Sequence, residues 1–558
     1  MLKQLLVTSL KEVLGKEFSQ ETLNRLIEIP KHETLGDLAF PCFELAKHYR
    51  KAPHVIAQEI ACKLDHSKYE RVEAVGGYVN VFLKKKTIAW ETIKKVLLEK
   101  EAYGSKVHTE KKTMTIDLSS PNIAKPFSMG HLRSTVIGNS IALIAEKQGY
   151  DVVRINHLGD WGTQFGKLIV AYKKWGKKEN VIKNPIKELF NLYVKFHMEA
   201  EEDASLNDHG REAFKQLESG NEDALFLWKW FRDESLKEFM KIYNQLGIRF
   251  DSYHGEAFYN DKMDAVVTML EERGLLVESD GAQVVELENL PPCLITKRDG
   301  TTLYATRDLA AAIYRQQTYQ FNKSVYVVGN EQSLHFKQLF AVLEKMGFEW
   351  RKGMAHVPFG MILKDGKKMS TRKGKVVLLE DVIKEAIQLA LKNIEAKNPT
   401  LIDKEETAKQ VGIGAIIFHD LKNYRLNDIE FSLADMLRFE GETGPYVQYT
   451  HARTSTLLKK GKFQIRDNQQ LSFLDKEAWP IIKLLQNFPQ VINQAMEEYD
   501  PSKIAKYLLD VSKAFNHYYA TVKILNEEEG NRLAIVYSVK VVLKEGLRLL
   551  GIASPEEM

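Results

Sequence analysis

The segment Asp117-Leu-Ser-Ser-Pro-Asn-Ile-Ala-Lys-Pro-Phe-Ser-Met-Gly-His-Leu-Arg-Ser134 lies between a strand pattern and a helix pattern. Ahead of it, Met114, Ile116 and Leu118 alternate with polar residues, the period of a strand with one buried face. Behind it, Leu132, Val136, Ile137, Ile141 and Ile144 recur at helical spacing as far as Gly149, a glycine stop. Val152-Val-Arg-Ile155 then begins a second strand, so strand, glycine-containing turn, helix and strand form a βαβ unit with a parallel pair. A turn of this kind attracts anions, because the unpaired N–H groups of the first helical turn and the positive end of its dipole point past the strand's C-terminal edge. Gly130 lets a phosphate or an adenine approach the backbone, and His131 stands in the first turn as a donor to a phosphoryl oxygen. Lys125 and His131 are both positively chargeable, and Pro121 and Pro126 stiffen the approach. Alone, His131 reads more simply as a half-buried histidine satisfied by a carbonyl; its neighbours favour the anion site.

A second basic segment stands far downstream. In Lys364-Asp-Gly-Lys-Lys-Met-Ser-Thr-Arg-Lys-Gly-Lys375, six basic residues face one acid. Such a run is usually a solvated loop. Here Gly366 and Gly374 bracket it and Ser370 and Thr371 add hydroxyls, which suits a loop closing over a polyphosphate.

Together the two segments resemble the paired signatures of class I aminoacyl-tRNA synthetases, written HIGH and KMSKS in that family and read here as Ser128-Met-Gly-His131 and Lys368-Met-Ser-Thr-Arg372. Within the class the resemblance is to arginyl-tRNA synthetases. It rests on Ser120-Pro-Asn-Ile-Ala-Lys-Pro126, Asn156-His-Leu-Gly-Asp-Trp-Gly-Thr-Gln-Phe-Gly166, Leu303-Tyr-Ala-Thr-Arg-Asp308 and Gly441-Glu-Thr-Gly-Pro-Tyr-Val-Gln-Tyr-Thr-His-Ala-Arg453. Two positions depart from the pattern. Ser128 replaces the first histidine but can still cap a helix, and Thr371 replaces the second lysine, a role the resemblance gives to Lys125.

The resemblance implies ATP-dependent attachment of L-arginine to tRNA(Arg) through an arginyl adenylate, with Mg²⁺ accompanying ATP and the 2′-OH as acceptor. It assigns the chemistry to Lys125, His131, Lys368, Ser370 and Arg372, and ATP binding to Pro121, Ser128, Gly130, His131 and Lys368. It places arginine against Asn122, Glu256, Tyr304, Asp308 and Gln332. A guanidinium is planar, permanently charged and carries five donors, so it calls for carboxylates such as Glu256 and Asp308. Without the resemblance, Asp308 reads as the cap of the helix that follows, paired with Arg307. The family also requires bound tRNA before it activates the amino acid. A class I synthetase for another amino acid would keep every phosphate feature and differ only in its side-chain pocket; a non-catalytic tRNA-binding relative would degrade the turn or the loop, and both are intact.

The expected architecture is multidomain α/β. Residues 1–85 form a small N-terminal α/β domain with helices near 2–14, 20–27 and 53–63 and a strand at 77–83; 86–110 are a charged connector. Residues 111–430 form the Rossmann-like, parallel-sheet catalytic domain, with amphipathic helices inserted at about 180–246 and the sheet resuming at Phe250 and at Val325. Residues 431–558 form an all-α bundle. On the first domain's strand Tyr78, Asn80 and Phe82 share a face ahead of Lys84-Lys-Lys86. That suits stacking on an unpaired base, though sheet packing explains it as simply. In the bundle, Tyr446, Tyr449 and Arg453 fall on one helical face able to clamp splayed bases, with core packing as the alternative. The resemblance makes Tyr78, Asn80, Tyr446, Tyr449 and Arg453 tRNA contacts and adds Met558. Phe515, Tyr518 and Tyr519 are further aromatic candidates that fit core packing as well.

Composition limits the other classes. With 558 residues, 28% charged, 44% apolar and a net charge of +4, a nucleic-acid partner must meet local basic surface, not a polycation. Cys42, Cys62 and Cys293 are far apart, against a zinc knuckle or disulfide framework and for a reducing cytoplasm. The N-terminal helix is amphipathic and interrupted by Lys11 and Glu12, unlike a signal peptide, and no apolar run suits a membrane span. A monomer in the cytoplasm is expected, without a resident metal.

Overall fold

The computed structural model describes residues 2–30, 32–298, 304–368, 377–465, 474–526 and 529–558. Ser370, Thr371 and Arg372, with the side chain of Lys368, lie outside the described residues. The chain divides into two compact units, one of Met1–Gly104, Arg453–Val491 and Asp510–Val542, the other of Ser105–Ala452, Ile492–Leu509 and Leu543–Met558.

The first unit opens on helices Leu2–Leu14, Gln20–Leu26 and Pro53–Lys63 beside an antiparallel sheet of β1 (Leu38–Pro41), β2 (Arg71–Val75) and β3 (Tyr78–Phe82), in the order β1-β3-β2. The expected connector is instead mostly the helix Lys85–Glu99, which buries Ile88, Ile93, Val96 and Leu97. Charge on its outer face disguised a buried stripe at helical spacing. Beyond it, Tyr103 donates to the Leu485 carbonyl at 2.9 Å, and Arg532 grips both oxygens of Asp475 while Tyr518 donates to the same carboxylate at 2.7 Å. Phe515 and Tyr518 are fully buried, so of the three aromatics only Tyr519 reaches the surface.

The second unit is built on β4 (Thr113–Asp117) and β5 (Asp151–Ile155). A small antiparallel meander follows, β6 (Val277–Ser279), β7 (Ala282–Val285) and β8 (Cys293–Thr296), and then β9 (Lys323–Tyr326) and β10 (Met354–His356). Strands β4, β5, β9 and β10 pair in parallel in the order β10-β9-β4-β5, so the connections leaving β4 and β9 part in opposite directions. In such sheets ligands bind in the crevice outside the C-terminal ends of the strands flanking that switch. The segment at Phe250 is not a strand; it meets the sheet through a bridge between Ile155 and Ser252 and through Asp251, which accepts from the Arg154 N–H at 2.8 Å. A third small sheet joins β11 (Ile362–Lys364), β12 (Lys367–Lys368) and β13 (Ile429–Glu430).

The helix after β4, Met129–Lys147, is buried nearly all round, polar residues included. Several of these polar groups find distant partners: Ser134 donates to the Val327 carbonyl at 2.6 Å, Ser140 to that of Leu549 at 2.8 Å, and Arg133 to Asp420, Asn427 and Arg425. Arg133 is only 1% exposed, so its charge depends on Asp420 at 3.1 Å. The inserted helices are Lys178–Lys183, Pro185–Glu202, Ser205–Glu218 and Glu222–Leu246. Their close fit needs Gly166, where a Cβ would stand 2.1 Å from the Gly210 carbonyl oxygen. Among the described residues no helix is long and apolar enough to cross a membrane.

Candidate active site

Leaving β4 the backbone turns sharply, with Ser119, Ser120 and Ala124 at φ 72°, 49° and 60°. Non-glycine residues persist in the left-handed region only where their surroundings over-determine them, as at binding sites. Here they do: the Ser119 N–H donates to Ser134 Oγ at 2.9 Å, Ser119 Oγ meets Tyr243 Oη at 2.8 Å, and the Ala124 N–H donates to Ser235 Oγ at 3.0 Å. The Ile123 N–H donates to the Gly159 carbonyl and the Gly159 N–H to that of Pro121, both at 3.1 Å. A Cβ on Gly159 would lie 2.0 Å from Asn122 Oδ1, so only glycine lets Asn122 sit there. The helix Glu222–Leu246 also supports this loop: Trp228 donates to the Asp160 carbonyl at 2.6 Å, and Arg232 pairs with the Asp160 carboxylate at 3.0 Å.

Ser128 is the N-cap of the following helix, in extended conformation, and its N–H donates to Nδ1 of His131 at 3.1 Å. A ring nitrogen that accepts carries no proton, so the proton of the neutral ring is on Nε2. Burial, reinforced by the charge of Lys125, pushes the imidazole down to about 4. His131 is therefore a neutral donor near pH 7. This corrects the expectation of two cations at the turn: desolvation removes the charge and leaves the hydrogen bond. Lys125 is half-buried, its Nζ 5.7 Å from the centre of the Tyr193 ring.

Beside this turn opens a cavity of about 450 Å³, lined by Gly130, Arg133, Gly329, Asn330 and the run Phe359–Ile362. Its size suits a nucleotide-scale ligand. The wall at Phe359–Ile362 escaped the sequence reading, although its glycine just ahead of the basic run offered a signal. The Gly360 N–H donates to the Arg425 carbonyl at 2.9 Å and the Met361 N–H to Asp428 at 2.7 Å, which fixes that wall.

On the other side of the turn two carboxylates are electrically coupled. Burial raises Glu256 to about 7, against the pull of Arg307 and with a further push from Asp308 and Asp160. Asp308 lies inside the helix Tyr304–Tyr319, not at its cap, and pairs with His335 Nε2 at 2.6 Å; Arg307 instead donates to Asn260 at 3.2 Å. The cap reading is thereby removed. Tyr304 stands one turn before Asp308 on the same helix face and is 60% exposed. Gln332 is exposed at the end of the turn Asn330–Gln332, directly ahead of the helix carrying His335. Beneath lies a buried pair, Arg315 with Asp117 at 2.7 Å. Burial opposes the Arg315 charge, but Asp117 outweighs it and holds the guanidinium well above its ordinary value. His335 and Arg315 carried no local sequence signal, and His157, inside the quoted stretch 156–166, was given no role there.

With this geometry in place, comparison with known proteins decides the family. The family model described as tRNA synthetases class I (R), catalytic domain, matches residues 92–433; those for an arginyl tRNA synthetase N terminal domain and a DALR anticodon binding domain match residues 1–83 and 447–558. An arginine–tRNA ligase 2 from Bacillus anthracis is 59% identical over 99% of this chain and 98% of its own length, and an arginine–tRNA ligase from Enterococcus faecalis is 58% identical over 100% of both. The chain belongs to the class I arginine–tRNA ligase family. Among solved structures, the arginyl-tRNA synthetase of Thermus thermophilus matches with a TM-score of 0.82 at 25% identity, over 100% of this chain and 99% of that one.

The arginine–tRNA ligase reading also brought up candidates away from this site. Tyr78 is half-buried, edge-on to the half-exposed Phe43 at 5.3 Å. Asn80, expected beside Tyr78 at the surface, is only 4% exposed, because β3 is the central strand of its sheet and both faces there are covered. In the helix Gly444–Lys460, Tyr446 is half-buried and Tyr449 is 39% exposed. Within its own unit, Arg453 donates to Asn516 and lies 4.8 Å from the centre of the Tyr519 ring. The Met558 carbonyl accepts from Asn398 at 3.2 Å.

Proposed function

We infer that this chain attaches L-arginine to tRNA(Arg) in an ATP-dependent reaction through an arginyl adenylate. The observation that carries the reading is identity of 58–59% with arginine–tRNA ligases over the whole chain. Aminoacylation of total tRNA with each of the twenty amino acids tests it: arginine alone should be incorporated, and incorporation of a different amino acid would favour a class I synthetase of other specificity.

In the first step an arginine carboxylate oxygen attacks the α-phosphorus of ATP in line and pyrophosphate leaves; in the second, the 2′-OH of the terminal adenosine attacks the acyl carbon and AMP leaves. Little covalent work falls to the protein, so positioning and charge neutralisation supply the rate. We assign His131 Nε2–H to a phosphoryl oxygen, and Lys125, Lys368, Ser370 and Arg372 to the charge developing on the phosphates. Pro121, Ser128 and Gly130 form the ATP side of the turn. Glu256 and Asp308 receive the guanidinium, Tyr304 orients the side chain, and Asn122 and Gln332 hold the α-amino and carboxylate end. Mg²⁺ would arrive on the ATP phosphates and lend them charge neutralisation. The described residues supply no group of three His, Cys, Asp or Glu side chains that could hold it alone. The domain limits given above, a monomeric state and a cytoplasmic location belong to the same proposal.

Glu256 gives this reading a pH signature. A carboxyl held at about 7 in the fold binds a proton that the unfolded chain has already lost, so the empty protein loses stability from this group as pH rises between 4.5 and 7. Below 7 the same carboxyl is neutral and offers no charge to a guanidinium. The KM for arginine should therefore rise as pH falls through 7, by up to about tenfold per unit from this group. Glu256→Gln should bind more weakly with a flatter profile; a profile as steep as that of the parent in this variant would sink the assignment.

For tRNA we propose contacts through Tyr78, Asn80, Tyr446, Tyr449, Arg453 and Met558, Asn80 only if β3 is uncovered. Stacking on a base is worth about 1–3 kcal/mol, so Tyr446→Ala and Arg453→Ala should each lower kcat/KM for tRNA by roughly 5- to 150-fold. Because activation in this family waits for tRNA, arginine-dependent pyrophosphate exchange should fall in parallel. Rapid exchange by the parent protein without tRNA would contradict the coupling.

A further inference from the structure

The two oxygens of Asp308 face different imidazoles. His335 Nε2 lies 2.6 Å from Oδ2, whereas His157 Nε2 lies 3.9 Å from Oδ1, beyond hydrogen-bond reach. Their surroundings shift the two rings in opposite directions. His157 Nδ1 faces Arg315 Nη2 at 3.3 Å, and a guanidinium can only donate, so the His157 proton is on Nε2. Burial keeps that ring neutral, pushing it below the ordinary histidine value. At His335 burial works the same way, but the hydrogen bond and the charge of Asp308 outweigh it and raise the ring above that value. Burial likewise pushes the Asp308 carboxyl up, and the bond and charge of His335, with His157 and Arg315, bring it below its ordinary value.

The other titratable groups around His335 do not supply its charge balance. His356 on β10 lies behind Phe336, directs Nε2 at the Val328 carbonyl at 2.9 Å and is pushed down by burial. Arg315, across Asp308, is matched by Asp117. The 2.6 Å pair thus favours the charged form of an imidazole that rests on the same carboxylate the guanidinium is assigned to.

We propose that His335 is a positioning residue of the arginine subsite: it fixes the Asp308 carboxylate through Oδ2, leaves Oδ1 for the guanidinium, and gives up its proton to solvent when arginine binds. Two cations on one carboxylate repel, so the imidazolium loses its charge while the neutral Nε2–H keeps its bond. Arginine binding is then coupled to proton release, and affinity for arginine increases as pH rises through the titration of His335. The proposal rests on the assignment of Asp308 to arginine.

The test compares the full-length protein with His335→Ala, His335→Gln and Asp308→Asn. KM for arginine and for ATP are measured in aminoacylation from about pH 6 to 9, and protons released on arginine binding are counted by calorimetry in two buffers of different ionisation enthalpy. Loss of a charge-assisted bond should raise the arginine KM of His335→Ala about tenfold with the ATP KM unchanged. His335→Gln keeps an N–H donor with no proton to lose. It should recover most of that loss near pH 8, fall off less steeply toward acid than the parent protein, and release fewer protons at pH 7. If His335→Gln matches the parent protein in slope and proton count, or His335→Ala binds arginine normally, while Asp308→Asn binds poorly, this proposal fails and the assignment of Asp308 stands. If Asp308→Asn itself binds arginine normally, the underlying assignment fails.

Discussion

His131→Ala should lose adenylate formation by about 10²–10³, the equivalent of roughly 2.7–4 kcal/mol of transition-state stabilisation, with the KM for arginine nearly unchanged. Its Nδ1 is occupied by the Ser128 N–H, which turns Nε2–H outward, and burial holds the ring at about 4. The group therefore meets the developing phosphate charge as a fixed neutral donor that needs no reorganisation. Two consequences separate this from a cationic role. The rate should show no limb near the ordinary histidine value arising from His131, and His131→Gln, which offers an N–H at similar reach, should retain more activity than the alanine variant. Single-turnover adenylate formation with tRNA present is the measurement. A variant with raised KM for arginine and normal kcat would mean that His131 serves binding and not the phosphoryl step.

Asp308→Asn should cost about 2–5 kcal/mol in kcat/KM for arginine, roughly 30- to 4,000-fold, with ATP affinity little changed. The substitution preserves size and one acceptor oxygen, so the loss reports the charge. It leaves a desolvated guanidinium short of a partner and also frees His335 from its 2.6 Å ion pair. Citrulline, uncharged and one donor short, should be rejected strongly by the parent protein and poorly by the variant. Normal charging by a variant that melts earlier would reduce Asp308 to a structural partner of His335.

Much of this was written in contiguous residues. Alternation into Leu118, helical spacing after Leu132 and the glycine and proline chemistry between them specify a strand, an anion-binding turn and a helix, because each depends on neighbours within a few positions. The helices of the N-terminal segment and the insertion were legible for the same reason. The charged helix Lys85–Glu99 was not, since its burial depends on what packs against it, and neither was the covering of Asn80, which depends on what packs over that face of β3.

The sequence alone, then, determined the βαβ unit with its phosphate turn and, through four ordered matches, the family. Only the tertiary structure decided the state of the groups in the site. Asp308 meets its histidine 27 residues away, Asp117 its arginine 198 away and Arg133 its aspartate 287 away. Protonation and charge in a buried site follow from desolvation and from such partners. That is why burial favours a neutral His131 and raises Glu256 to about 7, and why Asp308 pairs with His335 while only facing His157, none of which any local pattern encodes.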